Sequence, residues 1–118
     1  MLQINYVESN LSVNGLYYPE TKTICINKNL NDMDKQIAYY HELTHAVGFQ
    51  YNLIPSFTTI GRKIEECIAD YVASKLTNTK YPNRFNYVGE YYAQYIKEQA
   101  EIRINKIKDY KTKINEVN

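Results

Sequence analysis

The chain carries one segment whose residue types and spacing suit metal-assisted hydrolysis, His41-Glu42-Leu43-Thr44-His45. In a helix, two histidines four residues apart share one face, so both imidazoles point at the same place. Two neutral imidazoles in that arrangement suit Zn²⁺. Glu42, beside the first histidine, could then reach a water on the metal and act as its general base. The segment therefore predicts a hydrolytic metal centre.

A catalytic zinc site uses three protein ligands and a water, so a third ligand must come from another part of the chain. The two histidines of the motif are the only ones present, which leaves a carboxylate or a thiolate. Glu66 and Asp70 lie four apart on a second predicted helix and share a face. Glu66 is therefore preferred over Glu65 as the ligand, and Asp70 is expected to accept a hydrogen bond from a ligand histidine, His41. Cys67 is expected to be a small buried apolar residue rather than a ligand.

Each of these signals also has an ordinary explanation. An H-E-x-x-H match occurs by chance, and two acids four residues apart are common on a solvated helix face. The metal site is favoured by the combination of a motif within a helix, a helix–loop–helix return of suitable length, and paired acids on one face.

Hydrophobic periodicity and turn signals predict the elements that must position these residues. Strands are predicted at about 2–8, 16–18 and 23–26, and helices at about 34–50, 61–76 and 87–111. The fold class is therefore α+β. We expect a small, largely antiparallel three-stranded sheet packed on the motif helix, then the glutamate-bearing helix and a long C-terminal helix.

Composition limits the remaining possibilities. With 118 residues, the chain is expected to form a single domain over 1–118. A formal net charge of +1 argues against direct nucleic-acid binding. The absence of a long apolar run and of a leader-like N-terminus leads us to expect a cytoplasmic protein without a membrane partner. Cys25 and Cys67 are too few for a disulfide framework and are expected to be free.

The chain resembles the gluzincin metallopeptidases. The sequence HELTHAV at 41–47 is similar to the active-site helix of thermolysin-like enzymes, and Glu66-Cys-Ile-Ala-Asp70 is similar to their glutamate helix. The resemblance implies a zinc cofactor bound by His41, His45 and Glu66, with Glu42 as general base and Asp70 supporting a ligand.

By its size, the chain resembles the compact branch, the ImmA/IrrE-like peptidases and the minigluzincins. Gly15-Leu16-Tyr17, Ile24-Cys25-Ile26, the H-E-x-x-H motif and E-x-x-A-D-x-x-A at 66–73 follow one another in the order of that family. This resemblance implies an endopeptidase acting on an intracellular protein, with a DNA-binding repressor as the implied substrate class. It also implies that the strand at 23–26 pairs with an extended substrate.

Thermolysin-like enzymes use a further histidine and a tyrosine to stabilise the oxyanion, and this chain has no third histidine. A tyrosine, an arginine or the metal alone must do so here. The candidates that follow the glutamate helix are Tyr81, Arg84, Tyr87 and Tyr91.

Two other functions are compatible with the sequence. One is a non-catalytic regulator that contains zinc and binds a repressor or another partner, with the C-terminal helix as its docking surface. The other is a latent peptidase whose C-terminal segment covers the zinc with an acid, the candidates being Glu98, Glu101, Asp109 and Glu116. The oligomeric state is not predicted.

Overall fold

A computed structural model describes residues 1–117, with side chains described through Asn115. Three strands precede four helices: β1 Asn5–Ser9, β2 Gly15–Tyr18, β3 Thr23–Asn27, α1 Asp32–Gln50, α2 Thr59–Thr77, α3 Asn86–Tyr91 and α4 Ala93–Val117. This arrangement confirms the predicted α+β class. None of the helices in this part of the chain combines the length and apolarity that a membrane crossing requires.

Polar side chains fix where the two helices of the site begin. The Asn31 side chain accepts a hydrogen bond from the backbone N–H of Asp34 at 2.8 Å, which caps α1. The Thr58 hydroxyl accepts one from the N–H of Gly61 at 3.1 Å, which caps α2. These two hydrogen bonds satisfy backbone N–H groups of the first turn and so fix where each helix begins.

The strand order is β1-β3-β2, and the sheet is mixed. β3 pairs in parallel with β1 and antiparallel with β2, so the prediction of a largely antiparallel sheet was wrong. The strand directions alternate along the chain as expected, but β3 lies between the first two strands. Its Ile24, Cys25 and Ile26 are all buried, and a strand that is apolar on both faces is most stable in the centre of a sheet.

The central position of β3 also corrects the prediction that this strand pairs with a substrate. Both of its edges are already hydrogen-bonded to neighbouring strands. β2, which packs against α1, is an edge strand, and within residues 1–117 no strand pairs with its other edge. A substrate strand can therefore be added beside β2 but not beside β3.

The C-terminal helical segment is divided at Tyr92, so the prediction of one continuous helix over 87–111 was wrong. Tyr92 has φ −103° and ψ 20°, outside the ideal helical values, so α3 ends before it and α4 begins at the following residue. Val88 and Tyr92 pack against the hydrophobic core, so tertiary contacts favour the break between the two helices. α4 packs on both α1 and α2, and its apolar residues Ile96, Ala100 and Ile107 are buried.

Candidate metal centre

Packing of α1 against α2 brings three potential ligands together. The Nε2 atoms of His41 and His45 are 3.1 Å apart. Glu66 Oε2 lies 2.9 Å from His41 Nε2, and Glu66 Oε1 lies 3.3 Å from His45 Nε2. Bonds of about 2.05 Å in a tetrahedron would place zinc ligand atoms about 3.3 Å apart. The three side chains therefore form a group that could bind a metal ion, and their spacing fits a tetrahedral ion.

The other nitrogen of each imidazole donates to a carboxylate. His41 Nδ1 lies 2.9 Å from Asp70 Oδ1, the partner expected from the four-residue spacing. His45 Nδ1 lies 2.9 Å from Glu65 Oε2, a contact that the sequence did not predict. A carboxylate at Nδ1 keeps the proton there, so that Nε2 offers its lone pair in the neutral ring. Both rings are thus oriented towards the same point.

Glu42 lies at the edge of this group and does not belong to it. Its Oε2 is 4.0 Å from His41 Nε2, and the residue is 8% exposed. Gly15 of β2 lies against it, because a Cβ at that position would come within 3.1 Å of Glu42 Cγ. Glycine at the start of β2 therefore leaves room for Glu42 beside the potential ligands. Among the described residues, the Glu42 carboxylate has no contact closer than the 4.0 Å to His41 that would tie it to a partner.

A cleft of about 940 Å³ gives access to these residues. Its lining comes from 13–17 around β2, from α1, from the loop that follows α1, from α2 and from residues 84–85. Phe49, Ile54 and Phe57 make one part of the lining apolar. Glu42 and the potential ligands thus lie in an accessible groove, which a structural metal site would not need.

Of the four oxyanion candidates, Arg84 lies at the cleft. Its Nε and Nη2 donate to Asp70 at 2.9 and 3.0 Å, and Nη2 also donates to Glu66 at 3.3 Å. The described cleft lining includes none of the three tyrosines. Tyr87 and Tyr91 are 80% and 72% exposed, and Tyr81 packs on Tyr71 instead. The structure therefore leaves Arg84 as the candidate nearest the ligands.

Three of the four candidate acids of the C-terminal segment can be located, and none of these three is part of the described cleft lining. Glu98, Glu101 and Asp109 are exposed on α4, and the cleft lining as far as it is described contains no α4 residue. The side chain of Glu116 lies outside the described residues. In this conformation α4 packs on α1 and α2, and the described residues offer no support for a blocked cleft.

Burial and ion pairing shift the pKa values of the metal-free site. Burial lowers the pKa of both histidines, but hydrogen bonds to carboxylates outweigh it, raising the pKa of His41 and bringing that of His45 to about 10. Burial raises the pKa of Glu66, yet its hydrogen bonds with the two histidines hold it well below the usual range. Burial raises the pKa of Glu42, which moves this carboxyl towards the value of a useful base at neutral pH.

These shifts predict that metal uptake depends on pH. With a pKa of about 10, His45 should carry a proton at pH 7 in the metal-free protein, and this proton must leave before Nε2 can bind a metal. The raised pKa of His41 acts in the same direction. We expect roughly one to two protons released per zinc, so that affinity rises about 10- to 100-fold per pH unit. Calorimetry in buffers of different protonation enthalpy measures this release. Zinc affinity that stays constant between pH 6 and 8 would contradict the prediction.

Comparison with known proteins does not extend this description. No family model, no curated protein and no solved structure matches the chain. The case for a metal centre therefore depends on the motif and on the geometry of its residues.

Sequence reasoning missed two contributors to the site. Glu65 was considered only as a rival ligand, whereas its carboxylate contacts His45 Nδ1. Arg103, from the middle of α4, donates to the same carboxylate at 2.6 Å. Arg103 lies three residues after Ala100 and four before Ile107, so it falls at the spacing of the apolar residues that α4 buries. A charged residue at that spacing is the one signal in the sequence that could have indicated a role for Arg103.

Proposed function

We propose that this protein is a zinc-dependent endopeptidase. The observation that carries the proposal is the convergence of His41, His45 and Glu66 on one point of an open cleft, with Glu42 beside them and free of a ligand role. Two imidazoles and one carboxylate are a ligand set of catalytic zinc. A structural zinc site is closed by four protein ligands and has no use for a neighbouring base.

Zinc, when bound, supplies Lewis-acid chemistry, since it polarises a carbonyl and lowers the pKa of water. The residues of the chain account for the rest of the reaction. Glu42 accepts a proton from the attacking water and delivers it to the leaving amine nitrogen, a role favoured by its raised pKa. Asp70 and Glu65 keep the two rings in orientation. Arg84, at the cleft, can donate to the developing oxyanion.

The edge strand β2 is the feature that favours a peptide as the substrate. An extended peptide can add to its unpaired edge and so pass directly beside Glu42, which contacts Gly15 at the start of that strand. The substrate we propose is a protein inside the cell, because both cysteines are buried and free, as is usual in a reducing compartment. A DNA-binding repressor is the substrate class that the resemblance to ImmA/IrrE-like peptidases implies.

One observation favours a second candidate, a zinc-containing regulator that binds its partner without cleaving it. The three tyrosines proposed for the oxyanion do not contribute to the described cleft lining, so transition-state stabilisation depends on Arg84 and the metal. The retained Glu42 favours the peptidase over this alternative, because a binding site gains nothing from a general base.

The two functions are separated by one experiment with wild-type protein. Metal content is measured after purification without added metal, and a mixture of unstructured peptides is then incubated with the protein and examined by mass spectrometry. We expect about one zinc per chain and new peptide ends that vanish with a chelator and return with zinc. Stoichiometric zinc with no cleavage of any peptide would favour the regulator, and protein that takes up no zinc would contradict both.

A further inference from the structure

An ion pair links the candidate metal centre to the C-terminal helix α4. The guanidinium of Arg103 donates to Glu65 Oε2 at 2.6 Å, and the same oxygen accepts from His45 Nδ1 at 2.9 Å. Arg103, Glu65 and His45 thus form one continuous chain of hydrogen bonds from α4 through α2 to α1. Glu65 Oε1 is buried without a hydrogen-bond partner among the described residues, so the contacts of this carboxylate pass through Oε2.

Arg103 is fully buried, at 0% exposure, and is fixed from several sides. Besides Glu65, it donates to the backbone oxygen of Thr44 at 3.3 Å and to that of Leu53 at 3.2 Å. Thr44 precedes His45 in α1, so the guanidinium contacts both the backbone next to the ligand and the acid that orients its ring. Gly48 makes this approach possible, since a Cβ there would lie 2.8 Å from Arg103 Nη1.

A fully buried arginine is costly unless it is paired and hydrogen-bonded, so a position that only had to fill the core would be better occupied by an apolar residue. Its neighbours on the same stripe, Ala100 and Ile107, are such residues. We propose that Arg103 is a positioning residue that holds Glu65 so that the His45 ring is oriented for metal binding, which couples the C-terminal helix to the affinity of the site. This inference rests on the metal centre of the proposed function.

The test is the zinc dissociation constant, measured by competition with a chelator in Glu65→Gln, Arg103→Met and Arg103→Lys. Loss of a residue that hydrogen-bonds to a metal ligand typically weakens metal binding about 10- to 100-fold. We expect a loss of that size for Glu65→Gln and for Arg103→Met. Arg103→Lys keeps the charge but not the forked geometry, so an intermediate loss is expected. In the double variant the two losses should not add, because both act through one contact to His45.

Two control variants separate positioning from general destabilisation. Ile107→Val removes a methyl group one turn further along α4, and Lys108→Met removes an exposed charge from the same helix. Both should bind zinc like wild type, the first even though it lowers the melting temperature. If circular dichroism shows that Arg103→Met is unfolded, the zinc affinities of Glu65→Gln and Arg103→Lys still test the proposal.

The outcomes are distinct. Wild-type zinc affinity, within about twofold, in folded Glu65→Gln and Arg103 variants overturns the positioning role and leaves the proposed peptidase unaffected. An equal loss of affinity in Ile107→Val also overturns it, because affinity would then follow stability alone. A wild-type protein that binds no zinc overturns this inference together with the proposed function.

Discussion

Glu42→Gln is expected to abolish peptide hydrolysis while the protein keeps its metal. The amide has the size of the carboxylate and fits the same space beside Gly15 and His41, but it cannot accept a proton from water. General-base catalysis typically contributes about 10²- to 10⁴-fold, so the rate should fall by at least that range. The measurement is the initial rate on a peptide that wild type cleaves, with zinc content determined on the same samples.

Glu90→Gln is the matched control for this variant. Glu90 is an exposed residue of α3 and is not part of the described cleft lining, so its substitution should change neither rate nor zinc content. Loss of zinc from Glu42→Gln with hydrolysis retained would contradict the assignment, because the reaction would then need neither the metal nor this carboxylate.

Glu66→Ala is expected to remove most of the metal and all of the activity. Glu66 supplies the only carboxylate oxygens within 3.3 Å of both ligand nitrogens in the described structure, so its loss leaves two ligands. Substitution of a residue that hydrogen-bonds to a ligand already weakens metal binding about 10- to 100-fold. Loss of a ligand itself should therefore weaken metal binding by more than about 100-fold. Elemental analysis and chelator competition on purified protein measure the change.

The comparison with Glu65 makes this prediction specific. If Glu66 is the ligand, Glu66→Ala should reduce zinc affinity far more than Glu65→Gln does, and Glu90→Ala should leave it unchanged. Equal zinc content in wild type and Glu66→Ala would contradict the assignment of the third ligand.

The sequence alone determined the parts of the site that depend on one helix at a time. The spacing of His41 and His45 fixes a shared face wherever that segment is helical, and the same holds for Glu66 and Asp70. The caps at Asn31 and Thr58 could be predicted because their hydrogen bonds span three residues. Local geometry of this kind needs no knowledge of the fold, which is why the face shared by His41 and His45 and the face shared by Glu66 and Asp70 agree with the structure.

The tertiary structure decided everything that depends on which elements become neighbours. Insertion of β3 between β1 and β2 made β2 the edge strand, although the turn signals of the sequence are equally compatible with consecutive pairing. The C-terminal helical segment is divided at Tyr92, which is neither proline nor glycine, because core packing outweighs local helix propensity there.

The contact made by Arg103 could not be predicted from the sequence, because it depends wholly on the tertiary structure. It lies 38 residues from Glu65 in the sequence and contacts it only because α4 packs across α1 and α2. Periodicity predicts which face of a helix is buried, but it does not predict which other elements pack against that face. A charged residue on the face is stable only if the fold places a partner of opposite charge beside it. The candidate ligands could therefore be predicted from local spacing, whereas the contact of Arg103 with Glu65 depends on the packing of helices that are distant in the sequence.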